Sequence, residues 1–446
     1  MAIKSVESDT TGAALQAAPQ AAARVAPAAH PPLVPPVVEH VEDTGIEPGF
    51  IADLILKIVY YHSIIPAGKI AEVLRLPFSE VVDGLIEELK NHHFIGVLGT
   101  DSPLRVAYKY ALTDKGLNKV HELLRRSNYA GPCPVTLEDY TYMVSHQRVR
   151  DAEVTRQKVE QAFSHMVLAP HVLEQLGPAI YSGEPLFIHG PSGNGKTMMA
   201  EIATTCLGGD VYIPHALLVE GEIIRVFDAE YHQEVDDPNP HVDRRWVRSK
   251  RPTVIAGGEL TLASLDLLYS PRSKVYEAPL QMKANCGMFL IDDFGRQQCS
   301  ATALLNRWIV PLEKHVDYLN LSTGYKITVP FEELIVFATN LDPQDLVDDA
   351  FRRRMQYKIE VPPPTPDQFK EIFKRDAAAR GITYREEAFH YLFTQYYEKT
   401  GRQPHACHPR DLLNHLLSAA HYRKVEPRLS QELLDFACRT YFGSLS

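Results

Sequence analysis

The stretch Pro185–Thr197, PLFIHGPSGNGKT, decides the fold of this chain of 446 residues. It begins as an apolar run typical of a buried strand and continues into a glycine-rich loop. Glycine permits tight backbone turns, so successive N–H groups can point at one anion. Lys196 adds a cation, Thr197 adds a hydroxyl, and the helix predicted to start there adds the positive end of its dipole. These features predict a cradle for the phosphates of a nucleotide.

The spacing G-x-x-x-x-G-K-T fits every position of the Walker A pattern. A glycine loop that merely turned the chain would not require a lysine and a threonine after it. The candidate nucleotide-binding residues are Gly190, Pro191, Ser192, Gly193, Asn194, Gly195, Lys196 and Thr197. ATP and Mg²⁺ are therefore the predicted cofactors, with Thr197 as one metal ligand.

A second apolar run, GMFLIDDFG, supplies the other half of the predicted site. Its unbroken apolar character is typical of a strand buried on both faces of a parallel sheet, and it ends in Asp292 and Asp293. The carboxyl ends of parallel strands face the nucleotide crevice. This Walker B arrangement predicts that Asp292 holds Mg²⁺ and that Asp293 orients or deprotonates a water.

Composition narrows the class of protein. The apolar content of 45%, charged content of 23% and net charge of -10 suit a soluble globular protein and give no general attraction to nucleic acid or anionic membranes. The six cysteines form no C-x-x-C pair, so neither a disulfide framework nor a zinc ribbon is indicated. No run is long enough to span a bilayer and the amino terminus lacks a signal-peptide core, so we expect a cytoplasmic protein without membrane insertion.

Changes in composition and pattern divide the chain into five parts. They are a disordered Ala/Pro-rich arm at 1–48, a winged-helix-like α+β domain at 49–130, a linker at 131–147, a P-loop α/β domain at 148–362 and a helical lid at 363–446. The third helix of the second part carries four acidic residues against one lysine, and these acids would repel DNA phosphates. This favours a winged helix that docks a protein over one that reads DNA.

The motifs resemble those of the AAA+ ATPases over about residues 148–446. The apolar run ELIVFATN ends in Asn340, which matches the polar sensor-1 residue that helps to position the attacking water. The resemblance implies that this strand lies between the Walker A and Walker B strands. A hairpin at DYLNLSTGYKITVP, turning at Ser322–Gly324, is similar to an insertion found in several AAA+ clades.

The resemblance also implies arginines that reach the γ-phosphate. The stretch LVDDAFRRRMQYKIEV looks like the arginine-finger segment, with Arg354 favoured, then Arg353, to act on the nucleotide of an adjacent subunit. The alternative is that these arginines pair with nearby aspartates on a surface. Arg410 opens a lid helix at the position of the sensor-2 arginine and is expected to contact the phosphate within its own subunit.

Four further patterns allow more than one interpretation. The run IIRVFD resembles a second strand of the central sheet, and the arginines around Trp246 could bind nucleic acid or face another subunit. The group His405, Cys407 and His408 could bind a metal or form a polar loop. Leu267–Tyr269 is a candidate pore loop.

The sequence thus predicts an AAA+ ATPase that hydrolyses ATP between the subunits of a homo-oligomeric ring, for which six subunits are favoured. It would remodel a protein partner recruited by the winged-helix-like domain. The alternative is a DNA-binding or DNA-remodelling ATPase that uses the winged helix and the basic loop. A third interpretation is a scaffold that binds ATP without hydrolysing it.

Overall fold

The computed structural model describes residues 34–100, 102–342 and 355–443. Its helices are α1 (Pro48–His62), α2 (Ala67–Leu74), α3 (Asp83–Asn91), α4 (Asp114–Arg126), α5 (Leu137–Ser145), α6 (Arg156–Ala162), α7 (Pro170–Ser182), α8 (Lys196–Leu207), α9 (Leu280–Ala284), α10 (Ala301–Lys314), α11 (Pro366–Ala379), α12 (Glu386–Phe393), α13 (His408–Arg423) and α14 (Gln431–Phe442). Its strands are β1 (Ile65–Pro66), β2 (Ile95–Thr100), β3 (Tyr108–Leu112), β4 (Val135–Thr136), β5 (Leu186–His189), β6 (Asp210–Pro214), β7 (Ala216–Val219), β8 (Glu222–Arg225), β9 (Trp246–Lys250), β10 (Thr253–Ala256), β11 (Leu268–Ser270), β12 (Val275–Glu277), β13 (Met288–Ile291), β14 (Val316–Asn320), β15 (Lys326–Pro330), β16 (Leu334–Thr339) and β17 (Tyr357–Glu360).

The central sheet has five parallel strands in the order β10-β13-β16-β5-β17. The inner strands β13 and β16 are buried along their whole length because helices cover both faces of the sheet. Leu186 and Ile188 of β5 pack with α7 and α8 on one face, whereas Phe187 packs with α10 on the other. β16 lies between β5 and β13, so the placement that the AAA+ resemblance implied is confirmed. The predicted class, an α/β fold with a parallel sheet and a helical carboxyl-terminal region, is confirmed as well.

The amino-terminal part combines α1 to α4 with a small antiparallel sheet in the order β1-β3-β2. One face of each helix is buried in a shared apolar core. Thr113 caps α4, because its Oγ1 accepts a hydrogen bond from the backbone N–H of Gly116 at 3.1 Å. The helix predicted to be the third begins as a π-helical turn, Phe78–Val82, and continues as α3.

A second five-stranded sheet, in the order β11-β12-β8-β7-β4, corrects two predictions. The run IIRVFD was expected in the central sheet, but it contributes β8 to this second sheet, and β10 is the strand that pairs with β13. Residues 131–147 were expected to be a linker, but they form β4 and α5. Val135 of β4 is fully buried in the core of the second sheet.

The remaining predicted elements near the site are present. β14 and β15 form the expected antiparallel hairpin, and Gly324 at its turn has a positive φ of 85°. The helices α11 to α14 form a separate apolar core after the sheet. Across the described ranges, none of the helices is long and apolar enough to cross a membrane.

Candidate active site at the ends of β5, β13 and β16

The loop between β5 and α8 is held in a shape that only glycine permits. Gly190 has a φ of 140°, and a Cβ there would lie 2.3 Å from the backbone oxygen of Val361. Gly193 has a φ of 80°, and a Cβ there would lie 2.5 Å from Sγ of Cys407. Because neither position can accept a side chain, the backbone of the loop stays free to approach a ligand closely.

Lys196 is buried at the start of α8, with 7% of its side chain surface exposed. Its Nζ donates hydrogen bonds to the backbone oxygens of Gly190 at 2.9 Å and Pro191 at 3.0 Å. Nζ also donates to Oδ1 of Asn340. Burial lowers the pKa of Lys196, whereas the nearby carboxylates of Asp292 and Asp293 act in the opposite direction. The ammonium is thus fixed beside the loop and tied to the end of β16.

Thr197 and Asp292 form a pair suited to a divalent cation. Oγ1 of Thr197 donates a hydrogen bond to Oδ2 of Asp292 at 2.8 Å, which joins the first turn of α8 to the end of β13. Mg²⁺ is commonly held by one or two protein oxygens together with substrate phosphates. Among the described residues no three side chains form a larger metal-binding group. The hydroxyl and carboxylate therefore fit Mg²⁺ bound jointly by protein and nucleotide.

Asp293 extends from the end of β13 toward the end of β16. Its Oδ1 accepts a hydrogen bond from Nδ2 of Asn340 at 3.1 Å. Asn340 therefore contacts Lys196 with its oxygen and Asp293 with its nitrogen. The structure brings these three sequence-predicted residues together in one hydrogen-bonded chain.

The backbone at Asp293 lies in the left-handed region, with a φ of 47°. Aspartate and asparagine enter this region several times more often than other non-glycine residues. Glutamate, the longer acid, lacks that preference. The left-handed turn thus gives a physical reason for the shorter acid at this position.

Gln297 holds this turn, and no sequence pattern pointed to it. Its Nε2 donates to the backbone oxygens of Asp292 at 2.9 Å and Asp293 at 3.2 Å. Its Oε1 accepts from the N–H of Gly295 at 2.8 Å. Phe294 adds a second tether, because its N–H donates to the backbone oxygen of Ala338 in β16 at 2.8 Å. Only the folded turn shows that one amide side chain spans both carboxylate-bearing residues.

Replacing Gln297 with alanine should slow ATP hydrolysis by about 10- to 100-fold, because a displacement of about 1 Å at a reacting group costs that order of rate. Nucleotide affinity and the midpoint of thermal unfolding should stay close to those of the parent chain. The matched control is Gln298→Ala, since Gln298 is exposed and its side chain has no hydrogen-bond partner in the described structure. A Gln297→Ala variant with full turnover would show that the turn at Asp293 keeps its conformation without the Gln297 side chain.

The lid reaches the phosphate loop through His405–Cys407, which we call the lid loop. Three hydrogen bonds connect the two loops: His405 Nδ1 with Ser192 O at 2.7 Å, Ala406 N with Asn194 Oδ1 at 3.0 Å, and Cys407 N with Gly193 O at 2.8 Å. His408 lies below them, where its Nδ1 contacts the hydroxyl of Tyr397 at 3.1 Å. The side chain of His405 and the backbone N–H of Cys407 thus connect the two loops, and His408 bonds to Tyr397.

Asn194 is the polar residue of the loop that is left incompletely satisfied. It is 4% exposed, and its Nδ2 has no hydrogen-bond partner within the described parts of the chain. A cavity of about 30 Å³ adjoins it, with a lining that includes Leu168, Ile372 and Ala406. The cavity is bounded by the α/β core on one side and by the lid on the other. An unsatisfied donor beside an apolar hollow fits the edge of a nucleotide.

The predicted arginines are placed unequally. Arg352, Arg353 and Arg354 lie outside the described residues. Arg410 has 57% of its side chain exposed, and its Nε donates to Oδ1 of Asp411 at 2.8 Å. The described lid therefore touches the phosphate loop through the lid loop, and the contact of Arg410 with a phosphate remains a prediction.

The basic cluster around Trp246 is not a continuous surface. Trp246 is 6% exposed, so it offers no stacking platform. Arg245 is 3% exposed and its guanidinium pairs with Asp243 at 2.8 Å, whereas Arg248 pairs with Asp210 at 2.7 Å. The Arg251 guanidinium donates hydrogen bonds to the backbone oxygens of Gly208 and Gln147, each at 2.9 Å. Two of the five cations are thus paired with carboxylates and Trp246 is buried, which weakens the nucleic-acid interpretation of this cluster.

The strand order, the glycine-shaped loop and the joined strand ends define a P-loop nucleotide-binding fold with the strand placement that the AAA+ resemblance implies. A family model described as a domain of unknown function, DUF8689, matches residues 365–440. These residues span the carboxyl-terminal helices. No curated protein matches the chain in sequence.

The chain is similar to several solved structures. NtrX from Brucella abortus shares 12% identity over 61% of this chain and 56% of that chain, with a TM-score of 0.39. NtrX in complex with ADP shares 15% identity over 72% and 65%, with a TM-score of 0.38. The RuvB Holliday junction branch migration motor of Thermotoga maritima shares 13% identity over 67% and 73%, with a TM-score of 0.34. The chain spans less than two thirds of the NtrX chains.

Proposed function

We propose that this protein is an Mg²⁺-dependent ATPase of the AAA+ type that works at the interfaces of a homo-oligomeric ring. The observation that carries the proposal is the hydrogen-bonded chain Lys196–Asn340–Asp293 beside the Thr197–Asp292 pair. It places a cation, a metal-binding oxygen pair and a carboxylate at adjoining strand ends, which is the set of groups that phosphoryl transfer to water requires.

The residues have separate roles in the proposed reaction. Asp293 accepts a proton from water while the water oxygen bonds to the γ-phosphorus and the bond to ADP breaks. Asn340 orients Asp293, and Lys196 with the loop N–H groups offsets the charge on the phosphate oxygens. Mg²⁺ held by Thr197 and Asp292 would neutralise charge on the β- and γ-phosphates. Arg354, or Arg353 as the second choice, would contact the γ-phosphate from the neighbouring subunit. Arg410 would contact it from the lid of the same subunit.

The lid contact suggests how turnover moves the protein. The lid loop is bonded to Ser192, Gly193 and Asn194. Nucleotide binding and release at this loop would therefore change the angle of the lid. Such a change in lid angle is how hydrolysis would be coupled to work on a protein partner recruited by residues 49–130.

Phosphate release per subunit should rise with protein concentration as a ring-sized species forms in the presence of ATP and Mg²⁺. Mixing Lys196→Ala with Arg354→Ala should restore activity that each variant lacks alone, because one supplies the intact phosphate loop and the other the intact finger. Mass photometry checks assembly in the same samples. Two variants that assemble together without any recovered turnover would contradict a shared site, and ATP-dependent assembly without phosphate release would favour a scaffold.

A DNA-binding ATPase is the second candidate, and the structure weakens its main support. Of the basic residues around Trp246, Arg244 and Lys250 are the ones that stay exposed without a described partner. α3 is also acidic, and Arg105 pairs there with Asp83 at 3.0 Å. DNA binding that falls steeply with salt and disappears in an Arg244→Gln variant would revive this function.

A further inference from the structure

A groove lies where α2 of the amino-terminal part meets β9 and the segment 234–244 that precedes it. It consists of two adjoining cavities, of about 610 and 270 Å³, which share Arg75, Val242 and Arg244 in their linings. We call it the Arg75–Arg244 groove. The larger cavity is bounded by α2 and by the segment 240–244. Ligand sites are often found at such junctions between structural parts.

The larger cavity has a mainly apolar wall. Its lining includes Val38, Val73, Leu76, Pro240 and Val242. Its other charged groups are already paired: Nζ of Lys69 lies 2.5 Å from Oε2 of Glu72, and Asp243 is bonded to Arg245. The wall therefore suits the apolar side chains of a ligand.

Arg75 and Arg244 stand where the two cavities meet, and neither guanidinium has a carboxylate within 4.0 Å in the described structure. Arg75 ends α2 in a left-handed backbone conformation, with a φ of 59°. His215 lines the smaller cavity, and its ring nitrogens have no hydrogen-bond partner among the described residues. Burial lowers the pKa of His215 to about 4, and the charge of Arg75 contributes to that shift. Two guanidinium groups and a neutral imidazole thus line this groove without a carboxylate partner among the described residues.

The charges around the groove argue against a nucleic acid. Glu234 and Asp236 are exposed on the rim of the smaller cavity, where they would repel a run of phosphates. Arg248, on the same rim, is paired with Asp210 at 2.7 Å. A single carboxylate placed between Arg75 and Arg244 would face two guanidinium groups and can accept two parallel hydrogen bonds from a guanidinium fork.

We propose that the Arg75–Arg244 groove binds a segment of a partner protein whose apolar residues fill the larger cavity and whose one carboxylate bonds to Arg75 and Arg244. The inference rests on the proposed function in one respect, since it identifies the surface by which the ATPase would hold its protein partner. The binding itself needs neither hydrolysis nor ring assembly.

The test is selection of eight-residue peptides by the full-length chain without nucleotide. In one displayed library the peptides end in a free carboxyl group, and in the other the carboxyl terminus is fused to the display protein. Comparing the two shows whether the bound carboxylate is the terminal one or an Asp or Glu side chain. Peptides recovered from either library are synthesised, and their affinities are measured by fluorescence anisotropy. We expect apolar sequences with one acid, and at least a tenfold loss of affinity when that acid is replaced by its amide.

The Arg75→Gln/Arg244→Gln variant should bind the acidic peptide with an affinity reduced by a similar factor. Its affinity for the amide version of the peptide should equal that of the parent chain. The exposed Arg272 provides the matched control, Arg272→Gln, which should alter neither affinity. ATP hydrolysis by the double variant should match the parent chain, which separates failure of this site from failure of the proposed ATPase. Binders without an acid, no binders at all, or binding that appears only after removal of residues 1–33 would overturn the proposal.

Discussion

Replacing Lys196 with alanine is expected to abolish ATP hydrolysis and to weaken ATP binding by at least about 100-fold. The ammonium is buried, fixed by the oxygens of Gly190 and Pro191, and joined to Asn340. A preorganised charge of this kind acts at full strength on phosphate oxygens because little water screens it, and loss of one such donor costs about 10²–10³ in rate. Binding is measured with a fluorescent ATP analogue and turnover by phosphate release.

The matched control for this variant is Lys250→Ala. Lys250 is exposed at the end of β9 and its side chain has no described partner. The Lys250→Ala variant should therefore bind and hydrolyse ATP like the parent chain. If the Lys196→Ala variant bound ATP as tightly as the parent chain, the loop would not be the nucleotide site.

Replacing Asp293 with asparagine is expected to reduce turnover by about 10²–10⁴, the range that one positioned general base contributes. ATP binding should be retained, because the metal is assigned to Asp292 and Thr197 rather than to Asp293. Asparagine is also tolerated at a φ of 47°, so the left-handed turn should persist in the variant. Phosphate release gives the rate, and ATP binding with the assembled mass gives the retained state.

A comparison with Asp292→Asn separates the two carboxylates. Asp292 accepts a hydrogen bond from the hydroxyl of Thr197 and is assigned to the metal with it. Loss of the Asp292 carboxylate should therefore raise the Mg²⁺ concentration needed for tight ATP binding. Asp293→Asn should leave that requirement unchanged. An Asp293→Asn variant that hydrolyses ATP at the parental rate would remove Asp293 from the reaction and leave water activation to another group.

The residues of the site differ in how far their roles could be predicted from the sequence. Gly190, Gly193 and Lys196 could be assigned from spacing alone, because a phosphate loop is a continuous segment whose geometry its own residues determine. Asp292 could also be predicted, since parallel strands bring their carboxyl ends to one edge of a sheet. Asn340 was predicted from the resemblance to the AAA+ ATPases, because its position beside the other strand ends depends on a strand order that local pattern does not give.

Arg245 and Arg251 show where that reasoning fails. In the sequence they look like solvent-facing cations, yet Arg245 is buried against Asp243 and Arg251 bonds to the backbone of Gly208 and Gln147. Residue type does not reveal partners that are distant along the chain. The second sheet is a related case, because short strands such as β4 and β8 gain their place from contacts far away in sequence.

The sequence by itself determined the phosphate loop, the acids that follow β13 and the parallel sheet that joins them, because local spacing and apolar runs encode these features directly. Only the tertiary structure decided that Gln297 holds the turn of Asp293, that the lid loop bonds to the phosphate loop, and that Arg75 and Arg244 meet beside an apolar cavity. Those arrangements depend on hydrogen bonds and packing between segments brought together by folding, which no local pattern specifies.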